Sequence, residues 1–448
     1  MKNLLYSRYY NFNQLNTIGK YIFKNNNFKN ISDNKDCDET GLVDNFYKNL
    51  ENKKTNLKSN ISNRKITEII ERDRMLRNIN KSLSIKLINS MYLAIEKVLI
   101  QFKPKLIVSM AIDSYVLDLL FLICKKKKIK YIGLIASCIN GYFRITAKGD
   151  LNKNLKFKEI NNSDILKNFL KNNYTPSFNN FAVKSPLKGI FIRWIKNILR
   201  VPYFGIVRFV KNDKYNHHYF SSYLISKKHL SFFPKLEIGD KNWRNSIQNN
   251  KPILFMPLQM YPECPIDYWV KEIKFTNYYK YLKIFIKKFQ NDFQIIIKEH
   301  PSVYPLRPRD FYIDLKKNNK VKIVPTYTNS NQLVDYADCI FLWSGTIGLD
   351  ASIRGKPVLC LTKTFYSKSR RVKLISEKTS ISEIKKFIKK VKNNKIHKHE
   401  QIKIMKNVTK NLYKGEYTAF QFWDIRNPVH INNMKEIGKS IKSFVGFK

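Results

Sequence analysis

From Pro252 to Thr362 the chain repeats one pattern: a short apolar run, a few loop residues, then apolar residues at helical spacing. The runs "PILFMPLQ", "FQIIIKEHP", "VKIVP", "DCIFLWSG" and "KPVLCLT" are short and nearly continuous in apolar residues. That is the pattern of strands buried on both faces. Between them, "YYKYLKIFIKKFQ", "NSNQLVDYA" and "TIGLDASIRG" have helical spacing. Short strands joined by helices form a parallel sheet. The first half carries the same rhythm: Leu106–Met110 as a strand, Tyr115–Cys124 as a helix, Tyr131–Ala136 as a strand, preceded by a stretch from Ile66 long enough for two helices. The expected fold class is α/β, with two parallel-sheet halves facing each other across a cleft.

A chain of 448 residues exceeds one ordinary core. The expected divisions are a poorly ordered or variable segment over 1–64, an α/β domain over 65–240, a second over 241–425, and a tail over 426–448. Residues 24–64 are mostly Asn, Lys and Asp and offer little apolar surface to offset their ordering entropy, so parts of this segment are expected to be loose. The tail "FQFWDIRNPVH" is aromatic enough to pack. The formal net charge is +49, which attracts polyanions and acidic membrane surfaces. No zinc-finger spacing, basic zipper or RNA-binding signature accompanies it, so no specific nucleic-acid partner is expected. Six scattered cysteines without CxxC pairs suit a reducing compartment. With no signal-peptide pattern and no apolar run of membrane-spanning length, a cytoplasmic protein is expected, soluble or peripheral on the inner face of the plasma membrane.

One segment of the middle region bears on that last point. In "SPLKGIFIRWIKNILRVPYFG", Ser185 can cap a helix with Pro186 in its first position. Leu187, Ile190, Phe191, Trp194, Ile195, Ile198 and Leu199 share a face, with Arg193, Lys196 and Arg200 elsewhere around it. The favoured expectation is a helix packed on its own domain with a solvated basic face. The alternative is a helix lying on anionic lipid.

In open parallel sheets, ligands bind beyond the carboxyl ends of strands. Three sequences fall there. "SGTIGLD" sets Ser344, Gly345 and Thr346 between a strand and a helix, where unpaired N–H groups and the helix dipole favour an anion and glycine permits close approach. It lacks the lysine of a P-loop, and every α/β protein has capped turns of this kind. "KEHP" presents His300 on a loop aimed by Pro301, with Lys298 and Glu299 pointing in alternate directions. "PLQMYPE" carries Gln259 and Glu263, suited to the hydroxyls and ring nitrogens of a nucleoside or sugar. Glu263 can equally cap the next turn.

Taken in order, "PLQ..PE", "KEHP" followed by "RP..FY", and "SGTIGLDA..RGKPVL" ending in "FY" at Phe365-Tyr366 resemble the capsule polysaccharide biosynthesis family, related to the Kdo transferases of capsule assembly. In the first half, "IERDRMLR", "AIDSYVLD" and "SCINGYFRITAKGD" resemble a surface-carbohydrate variant of it. The resemblance implies a glycosyltransferase with two Rossmann-like domains facing across a cleft, the GT-B arrangement, using a nucleotide sugar, a CMP-Kdo-like donor being one candidate, with a glycan or glycolipid acceptor and neither cofactor nor metal. It implies that His300, Ser344 and Thr346, with Gly345 and Lys298 beside them, hold the donor phosphate, and that Gln259 and Glu263 line the same site. Asp350 stands where the family usually has glutamate, a shorter side chain at a donor-binding position. The first domain becomes the acceptor side, with Asp113 after its strand as the base. Arg144 either binds a carboxylate or pairs with a neighbouring acid. Asp118, inside the next helix, is structural.

Two alternatives differ in what they need. A teichoic-acid-type polyol-phosphate transferase would carry a second histidine followed by proline, and none of His217, His218, His229, His397, His399 and His430 is so placed. A non-catalytic polysaccharide-binding or export protein would bind glycan without a donor.

Overall fold

The computed structural model describes residues 3–23, 27–52, 59–146, 148, 162–171, 174, 176, 186–230, 238–247, 250–410, 412–417 and 424–446. Twelve strands are found in them: β1 (Asn3–Tyr6), β2 (Phe28–Ile31), β3 (Leu106–Met110), β4 (Lys130–Ala136), β5 (Tyr142–Thr146), β6 (Ile253–Pro257), β7 (Gln294–Lys298), β8 (Val321–Val324), β9 (Cys339–Leu342), β10 (Val358–Cys360), β11 (Val372–Leu374) and β12 (Leu412–Lys414). They form two six-stranded sheets, one in each of two compact units. Met1–Leu155, Tyr203–Leu224 and Asn411–Lys448 form the first unit, and Lys156–Pro202 with Ile225–Lys410 the second. Both units are Rossmann-like.

The first sheet runs β12-β5-β4-β3-β1-β2. Strands β4, β3, β1 and β2 are parallel, while β5 and β12 add antiparallel pairs at one edge. The N-terminal segment 1–64 is expected to be poorly ordered or variable; its described residues contribute β1 and β2 to this sheet. Its few apolar residues are well spent: Ile31, Leu42, Val43 and Phe46 are buried. Its polar residues bond to one another, with the Asn30 N–H donating to Glu39 at 2.8 Å and Asp38 accepting from Thr40 and Val43. Composition misled here because asparagine and aspartate that cap local turns do not need a large core to be ordered.

The C-terminal stretch, expected as a tail able to pack, carries a helix of the first unit. Helix Pro428–Val445 packs on helix Phe12–Ile22, with Met434, Ile437 and Ile441 fully buried. Gly438 makes the approach possible, since a Cβ there would overlap the Tyr21 side chain. Each such buried side chain stabilises by about 1.5–3 kcal/mol. The aromatic residues 420–423 lie outside the described residues.

The second sheet, β11-β10-β9-β6-β7-β8, is parallel throughout. Its strands β6, β7, β9 and β10 coincide with four of the apolar runs and are almost wholly buried, which is why those runs do not alternate. Helix Tyr278–Phe289 covers it through Leu282, Phe285 and Phe289, and Trp343 stacks into the same aromatic core while its Nε1–H donates to the Phe275 carbonyl at 3.1 Å.

Helix Pro186–Val210 forms as the spacing predicts, although its cap Ser185 lies outside the described residues, as does the Leu187 side chain. Of the face expected to pack, Trp194, Ile195 and Ile198 are half-buried. Ile190 is buried, but Phe191 and Leu199 are 49% and 58% exposed. The buried line runs instead through Ile190, Asn197 and Phe204. Among the described residues no helix is long and apolar enough to cross a membrane.

Candidate functional site

In the second unit the chain runs from β6 outward to β7 and β8, then returns to the other side of β6 to form β9. Connections therefore leave β6 and β9 in opposite senses, and the carboxyl ends of those two strands flank the switch point where such sheets bind ligands. Gln259 follows β6, and Ser344 and Gly345 follow β9. They meet: a Cβ on Gly345 would lie 3.5 Å from Gln259 Oε1. His300 follows β7, the next strand along.

The SGT turn depends on glycine. Gly345 has φ +123° and ψ 157°, a conformation essentially closed to other residues. Thr346 then opens helix Thr346–Ile353, so its first N–H groups point away from the strand end. The Gly345 carbonyl accepts the Tyr366 hydroxyl at 2.7 Å and the Gly348 N–H at 3.2 Å, which pins the turn from below.

The "KEHP" loop divides its labour. Glu299 is fully buried and accepts from Arg307 at 2.6 and 2.8 Å and from the Tyr312 hydroxyl at 2.7 Å. Burial would raise its pKa, but the Arg307 guanidinium outweighs burial and holds the carboxylate below its usual range. Arg307 also donates to the Gln259 carbonyl at 2.6 Å, while the Gln259 N–H donates to Tyr278 Oη at 2.9 Å. The ion pair thus fixes the backbone of two site loops at once. Arg307 Nη1 is buried with no protein partner among the described residues.

His300 is left for another task. Its Nδ1 accepts the Ser302 N–H at 3.2 Å, which leaves the proton on Nε2. Burial lowers its pKa to about 4, so at neutral pH it is an uncharged donor. Lys298, the last residue of β7, is buried, and its carbonyl accepts the Leu258 N–H. Glu263 occupies the cap position of helix Cys264–Asp267 without a side-chain cap bond. Asp350 is buried on helix Thr346–Ile353 and pairs with Arg354 at 3.1 Å. Burial raises its pKa, with Arg354 offsetting part of the effect.

The first unit has its own switch point, between β1 and β3. Arg8 follows β1, Asp33 follows β2 and Asp113 follows β3. Arg8 joins all three strand ends: it donates to Asp113 at 2.8 Å, to Asp33 at 3.2 Å and to the hydroxyl of Ser114, the cap of helix Tyr115–Lys126, at 2.9 Å. Asp113 Oδ1 is buried and has no partner among the described residues. Burial would raise the Asp113 pKa, yet Arg8, then Arg74 and His217, hold it below the ordinary range, so the group is a carboxylate at neutral pH. Tyr10 donates no charge but encloses the pair, its hydroxyl 3.3 Å from Arg8. Arg144 lies on β5 opposite Ile135, near the carboxyl end of β4, and is nearly buried. Asp118 is buried on its helix in an ion pair with Lys148.

Arg8, Asp33, Arg307 and Tyr366 are the residues that sequence reasoning missed. Arg307 and Tyr366 lie in the quoted motifs "RP" and "FY", but nothing local marks them as supports of other loops. Arg8 lies in the segment expected to be variable, and its partner Asp113 is 105 residues away.

A family model described as "Capsule polysaccharide biosynthesis protein" matches residues 210–370, the stretch that carries β6 to β9 and their loops. Among curated proteins no sequence match was found. Solved structures of similar fold include UDP-GlcNAc 2-epimerase of Methanocaldococcus jannaschii in complex with UDP-GlcNAc and UDP, at 14% identity and a TM-score of 0.30, covering 91% of this chain and 99% of that one. They also include Thermosulfurimonas dismutans KpsC, beta Kdo 2,7 transferase, at 12% identity and a TM-score of 0.33 over 81% and 92% of the two chains. The beta Kdo 2,4 transferase of the same KpsC is similar at 10% identity and a TM-score of 0.33, over 74% and 87%. Over residues 210–370, about a third of the chain, the sequence is similar to the capsule polysaccharide biosynthesis family.

Proposed function

We propose, from this relation to capsule polysaccharide biosynthesis proteins, that the chain is a glycosyltransferase of bacterial surface polysaccharide assembly that uses a nucleotide-sugar donor. The observation that carries the proposal is the convergence of Gln259, His300 and the Ser344-Gly345-Thr346 turn on adjacent strand ends at the switch point of the second sheet. Backbone N–H groups at a helix start and a neutral imidazole donor suit a phosphate. As the glycosidic bond breaks, negative charge grows on the departing nucleotide phosphate. His300 Nε2–H and the turn amides meet that charge without reorganising, and one such donor is worth about 10²–10³ in rate. The proposal assigns no metal to this task. Asp113, ionised and with one oxygen unpartnered among the described residues, is assigned as the base that takes the acceptor hydroxyl's proton.

The test is isothermal titration of the protein with CMP, CDP, UDP and GDP, alongside His300→Ala. Binding of one nucleotide, weakened at least tenfold in the variant, is expected and would identify the donor class. A folded protein that binds none of the four would overturn the donor site and favour a glycan-binding role.

A further inference from the structure

Beside Arg8 and Asp113 lies a set of aromatic rings that the proposed chemistry does not use, all within the first unit. Tyr9 and Tyr10 follow Arg8 in the chain, and His218 stands near the start of helix His217–Lys228. The three meet in pairs, with ring centroids 5.4, 5.4 and 5.5 Å apart. Tyr9 Oη and His218 Nε2 lie 3.1 Å from each other. Phe204 and Tyr219 back the set: the Phe204 ring is 5.6 Å from that of His218, the Tyr219 ring is 5.8 Å from that of Tyr9, and both are buried. Asn34 fixes the Tyr219 hydroxyl, donating to it at 3.1 Å. The front rings stay open to solvent: Tyr9 is 43% exposed, and Tyr10 and His218 are half-buried. Rings gathered only to fill a core would be covered as Phe204 and Tyr219 are.

Charge and position identify the occupant. The chain holds 83 Lys and Arg residues, yet residues 215–224 contain none and residues 3–19 contain only Arg8. Arg8 is already engaged by Asp33, Asp113 and Ser114. Burial lowers the His218 pKa to about 3, so that ring is uncharged as well. An uncharged aromatic face on so cationic a chain is a poor match for phosphate or an acidic headgroup. It matches the C–H face of a neutral pyranose, whose partly positive hydrogens meet the negative face of an aromatic ring while the sugar hydroxyls reach polar groups at the rim. Arg8 Nη1 lies 3.3 Å from the Tyr10 hydroxyl and 2.8 Å from Asp113 Oδ2, so one sugar ring spans the step from the aromatic face to the carboxylate.

We propose that Tyr9, with Tyr10 and His218 beside it, is a stacking platform for a neutral pyranose of the acceptor glycan and sets one of its hydroxyls at Asp113. This rests on the reading of the chain as a glycosyltransferase with Asp113 as its base. Saturation-transfer NMR of the full chain with the methyl β-pyranosides of glucose, galactose and N-acetylglucosamine tests it. Saturation should reach the ring C–H protons of at least one of them. Tyr9→Ala should weaken that binding about fivefold, and Tyr9→Phe, which keeps the ring, should change it by no more than about twofold. An exposed position should leave the thermal melt of both variants close to wild type, and Tyr9→Phe keeps the comparison open whichever variant folds. No saturation of any of the three glycosides by the folded wild type would overturn the inference, as would equal transfer in wild type and Tyr9→Ala. So would loss of nucleotide binding in Tyr9→Ala, which means that the platform stacks a nucleobase. Titration of wild type with CMP, CDP, UDP and GDP reads the donor site separately. Glycoside binding without nucleotide binding keeps the platform and removes the donor site; nucleotide binding without glycoside binding removes the platform alone.

Discussion

Gly348 and Tyr366 are fitted to each other: a Cβ on Gly348 would overlap the Tyr366 hydroxyl, and that hydroxyl donates to the carbonyl of Gly345 at 2.7 Å. A glycine inside the helix therefore admits the tyrosine that holds the glycine at the helix start.

Gly348→Ala should cost about 1–3 kcal/mol through overpacking. Tyr366→Phe, which keeps the ring and deletes the hydrogen bond, should cost about 0.5–1.5 kcal/mol. Urea denaturation gives both values. Both variants should also weaken binding of whichever nucleotide the protein selects, because the turn amides lose their anchor. Unchanged affinity in Tyr366→Phe would mean that the turn holds its shape without this bond.

The Glu299–Arg307 pair should be far more costly to break than to replace. Arg307→Met leaves a buried carboxylate and should destabilise the second unit by about 3–5 kcal/mol. The double variant Glu299→Leu, Arg307→Met removes both charges and should recover much of that loss, though the Gln259 carbonyl stays unpaired. Arg307→Lys should fail as well, since one ammonium cannot reach both Glu299 oxygens and the carbonyl together. Additive single and double effects in chemical denaturation would count against the pairing.

Asp113→Asn should leave nucleotide affinity within twofold of wild type and lower transfer by about 10²–10⁴. Arg8 supplies a separate readout. It holds the Asp113 pKa down, so Arg8→Gln should raise that pKa and move the acid limb of the rate profile to higher pH. An acid limb that stays in place would remove Asp113 from the role of base.

Stability should fall between pH 7 and pH 5. Burial lowers the pKa of His218 to about 3 and those of His229 and His300 to about 4, whereas the unfolded chain takes up these protons near pH 6.5. Between pH 6.5 and about 4 the unfolded state binds more protons, so stability is lost as pH falls through that window. Asp213 opposes this, since burial raises its pKa to about 6 and it gains stability on acidification, and Asp38 and Asp350, also raised by burial, oppose it too; the fall between pH 7 and pH 5 rests on the three imidazoles, whose protonation in the unfolded chain lies in that window. Glu299 and Asp113, both held low, add their losses only in more acidic solution. The melting temperature should be lower at pH 5 than at pH 7.5, and His229→Gln should narrow the difference. A higher value at pH 5 would reverse the assignment.

Local chemistry was readable in the chain itself. Apolar runs such as "QIIIK" and "CIFL" state their own burial, because continuous rather than alternating side chains need cover on both faces. Gln259, His300, Ser344 and Asp113 could each be placed at the end of such a run. The same local logic missed the order of the described part of 24–64, where asparagine and aspartate caps rather than apolar content hold the chain.

By itself, then, the sequence determined which segments become strands and helices and which polar residues stand at their ends, since propensity and periodicity act over a few neighbours. Only the tertiary structure decided that β9 returns beside β6, bringing Gly345 to Gln259, and that β1 lies beside β3, bringing Arg8 to Asp113. Strand order is a choice among sheet arrangements of similar local energy. It is settled by burial and backbone pairing summed over the whole unit, and no short stretch of sequence carries that sum.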